Sequence, residues 1–233
     1  MKLAIIWDFD GTLIDTRRKN FNVTRQIIEH VTGKPANQYD CLQTTKKYLV
    51  ATLKAKNWQE LYKKEFKFTE HDINLVGKLW TKFQLKDETP TKLFSEFKDV
   101  ISKLKHIPQG IVSQNSRSNI IKILESYNLA EKFVSIIGYE EIDLTKQKPD
   151  PSGLIKCITE IYKDGCDKVL YIGDHETDAM CAINANLQLS NTEIIPIAAA
   201  YGTLENPEIW KILPHYILHE VSDLLKIVQE LEV

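Results

Sequence analysis

Short apolar runs alternate with longer helical patterns along most of this chain, and this rhythm is the feature that most restricts its fold. Most of the runs lack polar alternation, which is typical of strands covered on both faces. Strand–helix alternation of this kind predicts an α/β protein with an open, mostly parallel sheet flanked by helices. The predicted strands are 3–7, 110–113, 133–138, 168–173, 194–200 and 216–218.

One block of the sequence breaks the rhythm. From Thr16 to about Glu88 there is no convincing strand pattern, only helical segments such as NFNVTRQIIEHV and HDINLVGKLWTKFQL. Apolar residues at helical spacing also recur between the strands, over 91–105, 118–128, 151–163 and 176–186. The sequence therefore predicts a core domain formed by residues 1–14 and 90–233, with an all-helical domain inserted at 15–89.

Composition and charge exclude several classes of partner. The 233 residues include 30 Lys and Arg against 32 Asp and Glu, a formal charge of -2 that predicts no bulk attraction to nucleic acid or to an anionic membrane. The apolar start is too short for a signal peptide or a membrane span. The four cysteines form no C-x-x-C pair, which favours a reduced compartment and a cytoplasmic protein.

Polar residues directly follow several of the predicted strands. An open parallel sheet has its active site at the carboxyl ends of its strands, so these residues are expected to converge there. Lys148 joins them because it stands just before the helix that leads into the fourth strand. The residues that follow strands one, two and four are Asp8, Asp10, Gly11 and Thr12; Ser113, Gln114 and Asn115; and Asp174 and Asp178.

The chemistry of this set indicates a cation and an anionic substrate. Gathered carboxylates repel one another and raise each other's pKa unless a cation neutralises them. Mg2+ is suited to such a site, since it takes one or two carboxylates together with a substrate phosphate. Lys148 and the Ser113 hydroxyl among the acids favour an anionic substrate. Ser116 or Ser118 at the start of a helix would add backbone N–H groups to a phosphate cradle.

Asp8 and Asp10 also suit two steps of one reaction. A carboxylate can act as a nucleophile and form an aspartyl-phosphate. Two residues separated by one position on an extended segment point the same way, so Asp10 can handle the proton of the leaving group while Asp8 attacks.

With these residues in place, the sequence resembles the haloacid dehalogenase superfamily, whose members are mostly Mg2+-dependent phosphatases. DFDGTLID is similar to the first motif of the family, KPDP contains its motif III lysine, and GDHETD is similar to its fourth motif. The stretches AAAYGTLENPEIW and PHYILHEVSDLLKIV extend the likeness toward the C-terminus. The resemblance implies a Rossmann-like three-layer core with a helical cap, similar to phosphoglycolate phosphatases. One departure is Gln114, where close relatives of those phosphatases usually have Asn.

The resemblance also implies roles for the site residues. Asp8 would be the nucleophile and a metal ligand, while Asp10 would be the general acid/base and would ligate the metal through its main-chain carbonyl. Ser113 would bond the phosphoryl group. The remaining implied roles are the motif III lysine for Lys148, metal ligation for Asp174, support of the metal site for Asp178, and phosphate binding for Gln114, Gly11 and Thr12.

Two alternatives to a phosphatase stay open. The presence of Asp10 argues against a dehalogenase or a phosphonate hydrolase, but a sugar phosphomutase of the same family keeps both aspartates. A non-catalytic binding or regulatory protein on the same scaffold is a hypothesis of another class, although it would not need a general acid. The expected partner is a small phosphorylated metabolite, with sugar phosphate, phosphoglycolate and nucleotide monophosphate all open, as is the oligomeric state.

Overall fold

The computed structural model describes residues 1–203 and 205–232, and these form two compact units. The first unit contains residues 1–15 and 92–233, and the second contains residues 16–91. Leu204, which belongs to the quoted stretch AAAYGTLENPEIW, and Val233, the end of the predicted core, lie outside the described residues.

A parallel sheet forms the centre of the first unit. Its strand order is β5-β4-β1-β6-β7-β8 in the part of the chain that the structure describes, and each pair of neighbours is parallel. Each predicted strand is present, with ends within two residues of the expected ones. The strands of the unit, including the short β2 and β3 outside this sheet, are β1 Leu3–Trp7, β2 Ile14–Asp15, β3 Lys92–Leu93, β4 Gln109–Val112, β5 Ser135–Ile137, β6 Lys168–Gly173, β7 Glu193–Ala199 and β8 Tyr216–Leu218.

The central strand β1 shows why these runs lack polar residues. Leu3, Ile5 and Trp7 belong to one buried apolar cluster, whereas Ala4 and Ile6 belong to another. Alternate residues of a strand point to opposite faces, so both faces of the sheet are covered and every position of β1 has to be apolar. The result is the three-layer, Rossmann-like α/β arrangement that the sequence predicts.

Helices cover both faces of the sheet. Apolar residues of α5, α6 and α9 belong to the cluster that contains Trp7, and those of α7 and α8 belong mainly to the cluster that contains Ile6. The helices of this unit are α5 Phe97–Lys103, α6 Arg117–Ser126, α7 Ser152–Ile161, α8 Glu176–Asn186 and α9 Asp223–Glu232.

A short antiparallel ladder closes the first unit where the helical insertion departs and returns. Ile14 pairs with Leu93 and Asp15 pairs with Lys92. The ladder explains why this unit extends to Asp15 and resumes at Lys92, one and two residues from the predicted limits of 14 and 90. Because β3 occupies Lys92 and Leu93, the helix predicted to begin at residue 91 begins instead at Phe97, as α5.

The second unit is helical, and residues 16–91 contain its own apolar core. Val23, Ile27, Tyr62 and Val76 are fully buried there, whereas Trp80 packs against the same cluster only partly buried. Threonine or asparagine side chains cap α2, α3 and α4 by accepting backbone N–H bonds. Its helices are α1 Arg17–Thr32, α2 Thr45–Leu53, α3 Trp58–Phe66 and α4 Glu70–Lys86.

In the described ranges 1–203 and 205–232, the structure contains no helix that is both long and apolar enough to cross a membrane.

Candidate active site

Three neighbouring strands bring the predicted site residues to one edge of the sheet. β1 lies between β4 and β6, and each of these strands is followed directly by a residue of the predicted set. Asp8 follows β1, Ser113 follows β4, and Asp174 follows β6. Since the three strands are parallel, their carboxyl ends share one edge, as the sequence predicts.

The Lys148 side chain binds the carboxylates of Asp8 and Asp178. Its ammonium donates to Asp8 Oδ1 over 2.6 Å and to Asp178 Oδ1 over 2.7 Å, and all three side chains are buried. Tyr171, on β6, donates its hydroxyl to the same Asp178 oxygen over 3.1 Å, and its ring centroid lies 5.4 Å from the Lys148 ammonium. The lysine is therefore held at a fixed place between two acids rather than extended into solvent.

Burial and crowding perturb the carboxylates of the site. Burial raises the pKa of Asp8 from its ordinary 3.8 to about 7, with a further increase from the charges of Asp178 and Asp10 and an opposing decrease from Lys148. The pKa of Asp174 is also held well above its ordinary range by burial and by Asp8 and Asp178. Burial alone would lower the pKa of Lys148, but the two bound carboxylates outweigh it and keep the ammonium protonated.

Asp8, Asp174 and Asp178 form a group that can hold a metal ion. Each offers one carboxylate oxygen, and these oxygens lie within 4.8 Å of one another. Asp178 is already engaged, because its Oδ1 accepts from Lys148 and Tyr171 and its Oδ2 accepts from the His175 backbone N–H over 3.3 Å. Asp8 and Asp174 are therefore the better placed ligands, with Asp178 as a support for the lysine. A set of carboxylate oxygens fits a hard divalent cation such as Mg2+.

Two glycines allow these acids to approach the backbone closely. Gly11 has φ of 79°, and a Cβ atom there would lie 2.1 Å from Asp174 Oδ2. At Gly173 a Cβ atom would lie 2.3 Å from the Asp178 carboxyl carbon. Gly11 is thus required both by its backbone conformation and by the space that Asp174 occupies.

Asp10 lies on the turn that follows Asp8, and its carboxylate is bound by Asn115. The Asn115 amide Nδ2 donates to both oxygens of Asp10, over 3.0 and 2.9 Å. The Asn115 backbone N–H donates to Ser113 Oγ over 3.1 Å. Asn115 therefore contacts both the predicted acid/base residue and the predicted phosphate-binding hydroxyl.

The remaining predicted phosphate-binding residues lie around this turn. Thr12 is fully buried, and its carbonyl accepts the Tyr201 hydroxyl over 3.0 Å. Gln114 is half-buried on the loop between Ser113 and Asn115. The phosphate-binding roles of Gly11, Thr12, Ser113 and Gln114 stay predictions.

The N-terminus of α6 is not the open phosphate cradle that the sequence suggests. The Glu140 carboxylate accepts the Arg117 backbone N–H over 3.1 and 3.2 Å and the Ser116 hydroxyl over 3.1 Å. An acid from the protein therefore fills the position at the helix N-terminus that an anion would take. Glu140 follows β5 and lies outside the DFDGTLID, KPDP and GDHETD motifs. It is 23 residues from Arg117 in sequence, so no local pattern indicates the contact.

Sequence reasoning also missed the residues that orient the acids. Tyr171 reads as one more apolar strand residue, although its hydroxyl binds Asp178. Asn119 reads as an ordinary helix residue, although its Nδ2 donates to the Asn115 Oδ1 over 3.0 Å. A polar atom at a buried position of an otherwise apolar strand or helix face was the available signal in both cases.

Comparison with known proteins assigns the family. The sequence model described as "Haloacid dehalogenase-like hydrolase" matches residues 5–191, which include every candidate site residue from Asp8 to Asp178. The chain belongs to the haloacid dehalogenase-like hydrolase family. It is therefore an enzyme of the hydrolase class, and its relatives include proteins named as a pyrophosphatase and a phosphoglycolate phosphatase.

The relatives are distant but match most of the chain. The putative pyrophosphatase PpaX of Caldanaerobacter subterraneus is 23% identical over 229 residues, which cover 97% of this chain and 94% of the relative. The phosphoglycolate phosphatase of Shigella boydii is 24% identical over 159 residues, 67% of this chain and 59% of that protein. A putative haloacid dehalogenase-like hydrolase from Bacteroides fragilis shares the fold, with a TM-score of 0.76, 23% identity, and coverage of 96% of this chain and 100% of that one.

Proposed function

We propose that the protein is an Mg2+-dependent phosphatase that hydrolyses a small phosphate monoester through an aspartyl-phosphate on Asp8. The observation that carries the proposal is the buried Asp8 carboxylate, bound by the Lys148 ammonium over 2.6 Å at the carboxyl edge of the sheet. A fixed cation beside a nucleophilic carboxylate favours a reaction in which negative charge collects on a transferring phosphoryl group.

Each residue has a separate task in the proposed reaction. Asp8 attacks phosphorus in line, so that the bond to the leaving oxygen breaks and the phosphoryl group passes to the carboxylate. Asp10 gives a proton to the leaving alcohol and then takes one from the water that hydrolyses the acyl-phosphate. Lys148 and the Ser113 hydroxyl bind the phosphoryl oxygens, and the ammonium keeps its proton throughout because the acids hold its pKa high.

The metal would be held by the carboxylates of Asp8 and Asp174, with the main-chain carbonyl of Asp10 as a further proposed ligand. When bound, Mg2+ neutralises charge on the carboxylates and on the substrate phosphate. The fit rests on the donor set, three carboxylate oxygens within 4.8 Å of one another. The raised pKa values of Asp8 and Asp174, caused mainly by burial, also support the proposal, because a bound cation would stabilise both carboxylates in their ionised form.

We propose the substrate only as a class of compound, a small phosphorylated metabolite. A small phosphorylated metabolite fits a site with one lysine and one hydroxyl for the phosphate. Two relatives are named for pyrophosphate and phosphoglycolate, so both compounds belong in any substrate panel. Sugar phosphates and nucleotide monophosphates complete it.

The test is release of inorganic phosphate from that panel by the purified protein with Mg2+, with an Asp8→Asn variant as the control for contaminating phosphatases. The proposal expects release that requires both Mg2+ and Asp8. Release that persists in excess chelator, or in the Asp8→Asn variant, would contradict it. Conversion of a sugar phosphate to its isomer without phosphate release would instead indicate a phosphomutase.

A further inference from the structure

We propose that Asn115 is a positioning residue that fixes the orientation of the Asp10 carboxylate for proton transfer to the leaving group. The role rests on the proposed phosphatase reaction and goes beyond it by assigning a task to a residue outside the family motifs. Asn115 is 2% exposed, and its Nδ2 lies 3.0 and 2.9 Å from the two oxygens of Asp10. One amide nitrogen therefore contacts both carboxylate oxygens and restricts rotation of the carboxylate.

The Asn115 side chain can do this because its own position is fixed from several directions. Its backbone N–H donates to Ser113 Oγ over 3.1 Å, and its carbonyl accepts the Tyr139 N–H over 3.0 Å. Its side-chain Oδ1 accepts from Asn119 Nδ2 over 3.0 Å, and Asn119 is fully buried in the first turn of α6. An amide with both ends bound and no exposure has little freedom to rotate.

The direction of the hydrogen bonds in this relay follows from the chemistry of its ends. At least one oxygen of Asp10 accepts in either protonation state, and Asn115 accordingly presents its NH2 to Asp10 and its oxygen to Asn119. Asn119 must then present its own NH2, which leaves its Oδ1 without a hydrogen-bond partner among the described residues. Rotating the Asn119 amide would place two oxygens against each other. An unsatisfied buried acceptor carries a cost, which indicates that the orientation serves the contact with Asp10.

Asp10 needs such support because its side chain is only half-buried. A carboxylate at the rim of a site has alternative rotamers, and proton transfer requires one of them. A misplacement of about 1 Å can reduce a rate by about 10²-fold. Because Asn115 also binds Ser113, it holds the acid at a set place relative to the hydroxyl proposed to bind the phosphate.

The test compares two substrates in the wild type, Asn115→Leu, Asp10→Asn and the double variant. An alkyl phosphate needs protonation of its leaving group, whereas p-nitrophenyl phosphate does not. The measured quantities are KM and the single-turnover rate of phospho-enzyme formation. Asn115→Leu should slow the alkyl phosphate by about 10–100-fold, slow the aryl phosphate far less, and leave KM for both nearly unchanged.

The double variant separates positioning from a structural role. If Asn115 acts through Asp10, adding Asn115→Leu to Asp10→Asn should cause almost no further loss. A second variant, Asn119→Leu, should reproduce the same substrate dependence more weakly, since it frees one end of the Asn115 amide. Agreement of melting temperatures with the wild type excludes a folding defect.

The role would be overturned by an equal loss on both substrates, by a fully additive loss in the double variant, or by a faster reaction of the alkyl phosphate in Asn115→Leu. These results differ from failure of the proposed function itself, in which the wild type would form no phospho-enzyme with either substrate and the role of Asn115 would fall with it.

Discussion

Replacing Lys148 with methionine should destabilise the protein in a way that depends strongly on pH. The substitution keeps most of the side-chain length and removes the ammonium that donates to Asp8 Oδ1 and to Asp178 Oδ1. Removing one partner from a buried ion pair leaves an uncompensated buried charge, typically at a cost of about 3–5 kcal/mol. For a protein of this size, such a loss lowers the melting temperature by about 6–20 °C.

The destabilisation depends on pH because protonation of a buried acid removes the charge that the substitution leaves uncompensated. Burial already raises the pKa of Asp8 to about 7, and Lys148 opposes that increase, so the variant should have an even higher value. An acid whose pKa is higher in the folded state binds more protons when folded, so its ionisation makes the folded state less stable as pH rises. Both proteins lose stability as pH rises above the unperturbed value of 3.8, but in the wild type the loss ends near pH 7, the folded-state pKa of Asp8, whereas in the variant it continues to a higher pH. Relative to the wild type, the variant should therefore lose little stability near pH 5 and clearly more near pH 8.5.

The assay is thermal unfolding of the chelated protein at both pH values, followed by circular dichroism. Lys146→Met is the matched control, because Lys146 is exposed and lies two residues away, so its replacement should change stability by less than about 0.5 kcal/mol. An equal loss at both pH values, or no loss at pH 8.5, would refute the electrostatic account of the Lys148 site.

Two further predictions concern the backbone of the site and its metal. Gly173→Ala should reduce activity by about 10²-fold or more, because the added Cβ would lie 2.3 Å from the Asp178 carboxyl carbon. Steady-state kinetics would measure the loss, and unchanged activity would contradict the close packing of Gly173 against Asp178. Gly77→Ala is its control: its Cβ would lie 3.6 Å from the Trp58 ring, so this helix-interior change should stabilise by about 0.5–1 kcal/mol. Mg2+ should raise the melting temperature more at pH 8.5 than at pH 5.5, because protons compete for Asp8 and Asp174 at low pH; an equal shift would argue against these ligands.

The parallel sheet could be predicted because each of its strands carries a signal in its own residues. β1 is apolar at every position since Trp7 and Ile6 face opposite layers, and the other strands follow the same rule. The ladder of β2 and β3 could not be predicted, because two residues have no periodicity and their partners are far apart in sequence. The helix α3, WQELYKKEF, lies within the block predicted to be helical, but its own limits could not be predicted, since nine residues give little more than two turns of pattern.

The site likewise contains residues that could be placed from the sequence and contacts that could not. Asp8, Ser113 and Asp174 could be placed from sequence because each follows a strand, and strand order determines where strand ends meet. The contacts of Asn115 with Asp10 and of Glu140 with Arg117 depend on side-chain positions that no local pattern encodes. Glu140 shows the consequence, because a helix start that looks suited to phosphate is occupied by an acid of the protein itself.

The central claim is that Asp8 carries the phosphoryl group and Asp10 moves the proton, and trapping of the phospho-enzyme tests it most directly. The measurement is the intact mass of the wild type, Asp8→Asn and Asp10→Asn after mixing with p-nitrophenyl phosphate and Mg2+, followed by peptide mapping. Asp10→Asn should accumulate one phosphoryl group on Asp8, because the aryl group leaves without a general acid but hydrolysis lacks its base. Asp8→Asn should carry none. Equal labelling of both variants, or a phosphoryl group mapped to a residue other than Asp8, would contradict the account.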